Sequence, residues 1–479
     1  MNGLVIRRIA VLSIIALAIW AESCTRPKPK LQPDLALIFR PARERTGKTP
    51  IIIIPGMLGS RLVNKRTGKN VWPRAHPNED DLKLPISPDL KKNRDDVVAT
   101  EVVEKARLGF LIPEIKVYED FIDTLANHAG YKRGNIDDPS LGGYQDTFYL
   151  FSYDWRRDNA ETAQLLSEKI DRLKQKLQRP NLRFNLIAHS MGGLVARYYM
   201  MYGGRDALGH EDAKVNWGGT GNINKLILIG VPNEGTMEAL RALVEGFPVA
   251  DGNFILPLFG KIEADTIFSM PAAFQLLPHH GSQEFYDGKL QPVPANLYEF
   301  ETWRRFQWSI YDPSYRQTLT KRMKKSFPLN WQRRLDEFIA ERETYLKVVL
   351  TRARRFAEEL DRKADLATLL RVFLFAGDCE QTLSSVLIVE EGERIRTFFH
   401  PRKMKLKQGN LTSSMVEEKM FEPGDGRITR RSALAVSLDE ILNGSSKSNL
   451  SISIFGCEIH GDLPNNLTFQ DNLLSLLLK

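Results

Sequence analysis

The chain has 479 residues, 42% hydrophobic and 26% charged, the balance of a globular protein with a large core rather than a disordered or fibrous one. Its formal charge of +8 is modest for that length; it permits attraction to anionic lipid headgroups, and no motif points to nucleic acid as a partner. Three cysteines, with no Cys/His spacing of a metal site, exclude a disulfide-dense scaffold and give no reason to expect a metal or other cofactor.

Arg7 and Arg8 precede an apolar run from Ile9 to Trp20, too short to span a bilayer comfortably, and Ala21-Glu22-Ser23-Cys24 follows. Residues 1–23 therefore read as an export signal. Ala21 and Ser23 suit an ordinary signal peptidase, while Cys24 directly after them resembles a bacterial lipobox. The expectation is an exported protein, either a membrane-anchored lipoprotein or periplasmic or secreted. Residues 24–48 read as a linker, extended over Thr25–Pro33, where Pro27, Pro29 and Pro33 stand among lysines.

From about residue 49 onward, short apolar runs alternate with helical patterns. Ile51–Ile54 is the first run, and the loop Pro55-Gly56-Met57-Leu58-Gly59 follows it. Residues 74–105 are charged, Pro-containing and aperiodic, which predicts a loop or lid. Thr147–Phe151 is the next run; after Glu161, Leu165, Leu166, Ile170, Leu173 and Leu177 fall on one helical face. Phe184–Ala188 leads into His189-Ser190-Met191-Gly192-Gly193 and the helix-like run Leu194, Val195, Ala196, Tyr198, Tyr199. That is the form of a nucleophile elbow, G-x-S-x-G with Ala188 in the first position, in which a sharp strand-to-helix turn projects a serine hydroxyl.

Leu226–Gly230 is a further strand, and residues 237–368 then interrupt the alternation as a cap insertion. Phe254–Phe259 and Ser269–Pro278 suggest an apolar inner wall. A long amphipathic helix with Trp331, Leu335, Phe338, Ile339, Tyr345, Leu346, Val349, Phe356 and Leu360 in helical period closes the insertion, its stripe expected to pack on the core. Val372–Ala376 is a strand, Val386–Phe399 reads as a hairpin, and Leu450–Phe455 is the last strand before the closing helix Phe469–Leu478. Strands this continuously apolar are buried on both faces, so the class is α/β with a mostly parallel sheet and helices on both faces. Cys379 and Cys457 each follow a strand; pairing and two buried thiols are equally open from the sequence.

An ester-attacking serine needs a base, an acid to orient the base, and donors for the oxyanion. Of eight histidines, His460 lies on the loop between the last strand and the last helix, where such a base belongs. His189 adjoins Ser190 but must diverge at the elbow, which predicts a packing role; His76, His128, His210, His279, His280 and His400 have no motif. Met57 N–H and Met191 N–H are the candidate oxyanion donors. For the acid, Asp378 after Val372–Ala376 and Asp425 in Pro423-Gly424-Asp425-Gly426 stand nearly even.

Taken together, Pro55–Ser60, Trp72, Tyr153-Asp154-Trp155-Arg156, Ala188–Gly192, Gly230-Val231-Pro232-Asn233-Glu234-Gly235-Thr236, Gly424-Asp425-Gly426 and His460 resemble the lecithin:cholesterol acyltransferase family, in order from about residue 50 to the C-terminus. The Tyr-Asp-Trp-Arg signature is more specific than the elbow. The resemblance implies an α/β-hydrolase fold over residues 49–479, with a lid at about 74–105 and a mainly helical cap at about 237–368. It also implies Asp425 as the acid of a Ser190–His460–Asp425 triad, Met57 as an oxyanion donor, and acyl transfer from phospholipid-like esters at a membrane surface to a lipid alcohol or to water. The chain departs from the family at Arg427, where Thr is usual, and in having no cysteine in residues 74–105. Oligomeric state is not legible in the sequence.

Overall fold

The computed structural model describes residues 33–106, 114–140, 143–210, 213–249, 260–279, 284–364, 370–401, 412–434 and 448–478. The export signal, Cys24, Phe254–Phe259 and His280 lie outside them.

A seven-stranded parallel sheet forms the centre. Its strands are β1 (Ile51–Ile54), β2 (Lys132–Gly134), β3 (Thr147–Leu150), β4 (Phe184–His189), β5 (Ile223–Ile229), β6 (Leu370–Gly377) and β7 (Ser448–Phe455), in spatial order β7-β6-β5-β4-β1-β3-β2. Successive side chains of a strand point to opposite faces, and here both faces are covered. Ile52, Ile54, Leu186, Ala188, Leu226 and Leu228 enter one core with helices α1 (Asn159–Lys176) and α2 (Met191–Tyr202). Ile51, Ile53, Ile187, Ile227 and Ile229 enter a second core, closed by the terminal helix, here α6 (Leu467–Leu478), through Phe469, Leu473 and Leu477. All six strands anticipated from apolar runs are in this sheet. The seventh, β2, is three residues long with Lys132 and Arg133 exposed, so no apolar run marks it.

Two expected irregular segments are more ordered than their sequences imply. Within the stretch read as linker, Leu35–Ile38 and Arg40–Arg43 form helical turns, the first capped by Asp34, and Leu35 and Phe39 are buried in the second core. Within residues 74–105, Val97–Val102 pairs antiparallel with Ser60–Asn64, which also pairs with Asn70–Trp72. Only its terminal valines are buried; a strand with so few buried positions shows no alternation.

In the insertion, α3 (Met237–Glu245) buries Met237, Leu240 and Leu243, and α4 (Pro313–Ser326) packs against α5 (Trp331–Leu360), the long helix anticipated from its stripe. Tyr345, Leu346, Val349, Leu350, Ala353, Phe356 and Leu360 of α5 are buried, whereas Trp331, Leu335, Phe338 and Ile339 are only half-buried. Ser269–Pro278 is buried throughout, and Phe274 meets Trp303 and Tyr345. The hairpin is present as Ser385–Glu391 against Arg394–Phe398. Cys379 and Cys457 form a disulfide between the ends of β6 and β7.

Candidate active site

Because the sheet is parallel, the C-terminal ends of β1, β3, β4, β5, β6 and β7 open on one edge, the place where ligands bind such sheets. Ser190 sits at the end of β4 with φ 55° and ψ −131°, in backbone space a non-glycine residue rarely occupies. The turn is over-determined by its surroundings: Ser190 N donates to Ile229 O at 2.9 Å, and Gly193 N to Ser190 O at 2.9 Å. A Cβ on Gly192 would lie 2.4 Å from Pro55 O, and one on Gly193 would lie 2.1 Å from Val231. Ala188, fully buried between β1 and β5, fits where the family of such turns prefers glycine.

The Ser190 hydroxyl is 2.8 Å from His460 Nε2, and His460 Nδ1 is 2.8 Å from Asp425 Oδ2. A carboxylate oxygen only accepts, so Nδ1 carries the proton and, in the neutral imidazole, Nε2 accepts from the serine. Asp425 is 1% exposed. Its other oxygen accepts from Arg427 N at 3.0 Å and Ile428 N at 2.7 Å, and its carbonyl accepts from His460 N at 2.9 Å. Asp378 is elsewhere, half-exposed and paired with Arg430 at 2.8 Å. Arg427 contributes its backbone N–H to the acid and lays its guanidinium over the Phe247 ring.

Met57 lies in the Pro55–Gly59 turn, closed by Gly59 N to Gly56 O, and Met191 is the first residue of α2. The first N–H groups of a helix have no acceptor within it, so Met191 N–H is free to point at an anion. Three buried side chains fix the turn that carries Met57: Gly56 N donates to Tyr118 Oη (3.0 Å), Tyr153 Oη to Pro55 O (2.8 Å), and Trp72 Nε1 to Leu58 O (2.7 Å).

The Tyr-Asp-Trp-Arg signature is explained by these contacts. Tyr153 holds Pro55, and Trp155 Nε1 donates to Ser60 O at 3.1 Å. Arg156, with no exposed surface, grips Asp154 and Asp95 through two hydrogen bonds each and also donates to Leu82 O at 3.1 Å. One tetrapeptide thus ties the end of β3 to the Pro55–Gly59 turn and to the 74–105 segment. The Gly230–Thr236 loop does the same for the Asp425 turn. Thr236 Oγ1 donates to Arg427 O, Asn233 Nδ2 donates to Ala433 O, and Gly230, at φ 53°, lies so close beneath His460 and Asp425 that a Cβ would sit 3.2 Å from each.

His189 and Tyr118 complete the site. His189 Nε2 is 3.2 Å from His460 O, and its Nδ1 is 2.7 Å from Tyr118 Oη. A carbonyl only accepts, so Nε2 is the protonated nitrogen and Tyr118 donates to Nδ1 while accepting from Gly56. Burial, and after it the neighbouring His460, hold the His189 imidazole well below the usual histidine range, so it stays neutral. Tyr118 has no signal in the sequence: its partners are 62 and 71 residues away. Among the described residues, no cluster of three or more His, Cys, Asp or Glu side chains is placed to hold a metal ion.

A parallel sheet covered on both faces, with a serine on the turn from its central strand into a helix, defines an α/β-hydrolase. The chain belongs to the lecithin:cholesterol acyltransferase family, whose model matches residues 98–358, more than half its length. Family membership places it among enzymes that act on lipid esters. Among solved structures it is similar to that of the Tle4–Tli4 complex, with TM-score 0.56 and 14% identity over 91% of this chain and 98% of that one, a likeness of fold. Matches of lower TM-score include the mature Bacillus licheniformis lipase BlEst2 (0.31, 11% identity, 90% and 93% covered) and EstA from Clostridium botulinum (0.33, 13% identity, 94% and 92% covered). No curated protein is a significant match.

Proposed function

We propose that the protein is a lipid O-acyltransferase and acyl hydrolase working through a Ser190–His460–Asp425 triad. The observation that carries this reading is the unbroken relay of two 2.8 Å contacts from Ser190 Oγ through the imidazole to the buried Asp425 carboxylate. Ser190 Oγ attacks the ester carbonyl of a phospholipid-like donor as its proton passes to His460 Nε2. Met57 and Met191 N–H groups face the oxygen that becomes negative. Collapse breaks the ester bond, His460 returns the proton to the departing alcohol, and an acyl-serine remains. A lipid alcohol or water, deprotonated by the same nitrogen, then takes the acyl group and restores Ser190. The chain works after export, at a membrane surface, anchored through a lipidated Cys24; the intact mass of the mature N-terminus tests that anchor.

A fluorophosphonate probe should label wild type and not Ser190→Ala. With labelled phospholipid plus sterol or diacylglycerol, an acylated lipid alcohol is expected beside free fatty acid; free fatty acid alone would reduce the reading to a hydrolase. Asp425→Asn should lower kcat by roughly 10⁴-fold, because the imidazole loses its tautomer, while Asp378→Asn should change it by less than about twofold, the effect of a surface pair. The reverse order would exclude Asp425 as the acid.

A further inference from the structure

The hairpin of α4 and α5 is anchored at one end and bare at the other. Near the body, Asp265 accepts from Arg342 and Tyr315 and pairs with Lys83. Burial alone would raise its carboxyl, but the Arg342 and Lys83 charges and the Tyr315 hydroxyl reverse this and hold it below the usual range. Beyond that clamp, no residue from Lys324 to Glu341 is buried. At 1.5 Å per residue, the helix from Trp331 to Arg342 carries the tip about 16 Å beyond the anchored part.

The tip sequence is Lys321-Arg322-Met323-Lys324-Lys325-Ser326-Phe327-Pro328-Leu329-Asn330-Trp331-Gln332-Arg333-Arg334, with six cations and no carboxylate. Leu329 is fully exposed, Phe327 is 39% exposed and Trp331 is half-buried. Arg333 and Arg334 share Glu337. Among the described residues, no carboxylate pairs with Lys321, Arg322, Lys324 or Lys325, and Lys324 instead lies 4.5 Å from the centre of the Trp331 ring. The negative end of the α4 dipole accounts for cations in its last turn. It does not account for a leucine, a phenylalanine and a tryptophan at the far end of a protrusion, with Leu329 fully exposed and cations, Arg334 and Lys324, lying over the Phe327 and Trp331 rings.

We infer that this tip is a docking surface for an anionic lipid bilayer. Phe327, Leu329 and Trp331 enter the boundary between headgroups and acyl chains, and the unpaired cations around them meet lipid phosphates; interfacial binding strengthens with both buried apolar area and attraction to anionic lipid. Among the described residues, no helix is long and apolar enough to cross a membrane. The inference extends the reading of an enzyme on lipid esters at a membrane, and the two fail separately.

The test uses the processed protein carrying Cys24→Ser, so that no acyl anchor contributes, and Ser190→Ala, so that lipid is not consumed. Its affinity is measured for vesicles of equal phosphatidylglycerol and phosphatidylcholine and for phosphatidylcholine alone. Two variants are compared: Phe327→Ser with Leu329→Ser and Trp331→Ser, and Lys321→Gln with Arg322→Gln, Lys324→Gln and Lys325→Gln. Each is expected to weaken binding to the anionic vesicles at least tenfold, with the thermal midpoint unchanged. The same changes on an active Cys24→Ser background should leave hydrolysis of a soluble p-nitrophenyl butyrate within twofold. The parent should also bind phosphatidylcholine vesicles at least tenfold more weakly than anionic ones. Wild-type vesicle affinity in either variant, equal affinity for both vesicles, or a tip variant that loses self-association but not vesicle binding would overturn the inference. Vesicle binding by a protein that labels with no fluorophosphonate would leave docking intact and sink the triad.

Discussion

His189 precedes Ser190, yet its ring turns away and bridges two loops. Through Tyr118 it reaches the amide of Gly56 in the Pro55–Gly59 turn, and through Nε2 it reaches the carbonyl of His460. The sequence implies that this side chain diverges at the elbow; the bridge it makes depends on Tyr118, which no local pattern marks. The bridge needs a neutral ring, since a protonated Nδ1 would face the Tyr118 hydroxyl as a second donor. In the unfolded chain His189 titrates near 6.5, and in the fold it titrates lower. Below about pH 6.5 the unfolded state therefore binds the extra proton first, and stability falls as pH drops toward the folded value, by up to about 1.4 kcal/mol per pH unit. Denaturant unfolding between pH 7.5 and 5 should show a shallower acid-side loss in His189→Gln than in wild type; equal slopes would assign the loss to other groups.

The elements that were legible share one property: burial on both faces. Ile51–Ile54 and Phe184–His189 read as strands because every position is buried. Val97–Val102, with its interior exposed or half-exposed, gave no pattern, and its order comes from Ser60–Asn64 beside it and Arg156 behind it. Arg156 is also where the 74–105 segment is most vulnerable. Its guanidinium has no exposed surface and lies between Asp95 and Asp154, each partly buried. Arg156→Met keeps the volume but leaves two carboxylates facing each other without a cation, at a cost of about 3 kcal/mol. Urea unfolding of Arg156→Met should show that loss, and proteolysis under native conditions should begin within residues 74–96. Loss of stability without new cleavage there would mean that the segment is held by its strand alone.

At the scale of the whole molecule, the candidate site is an edge assembled from six strand ends, which is why Ser190 and His460 could be ranked from their positions after strands while Asp378 and Asp425 could not. Asp378 follows its strand directly; Asp425 returns to the same edge from 47 residues further on, held by Glu380–Leu383 pairing antiparallel with Phe421–Gly424. The Cys379–Cys457 disulfide crosses the neighbouring strand ends, three residues before His460, and closes a loop of 78 residues. Cys379→Ser should lower stability by about 2–4 kcal/mol, chiefly by freeing the unfolded chain. The thermal midpoint under oxidising and reducing conditions checks this: wild type should respond to reductant, and Cys379→Ser should not.

The parallel edge has a consequence in time as well as in space. A ribosome makes Ser190 270 residues before His460, the proposed base. On the proposed triad, a nascent chain that has not yet reached His460 carries a serine with nothing to activate it, and it cannot attack the lipids of the cell that makes it.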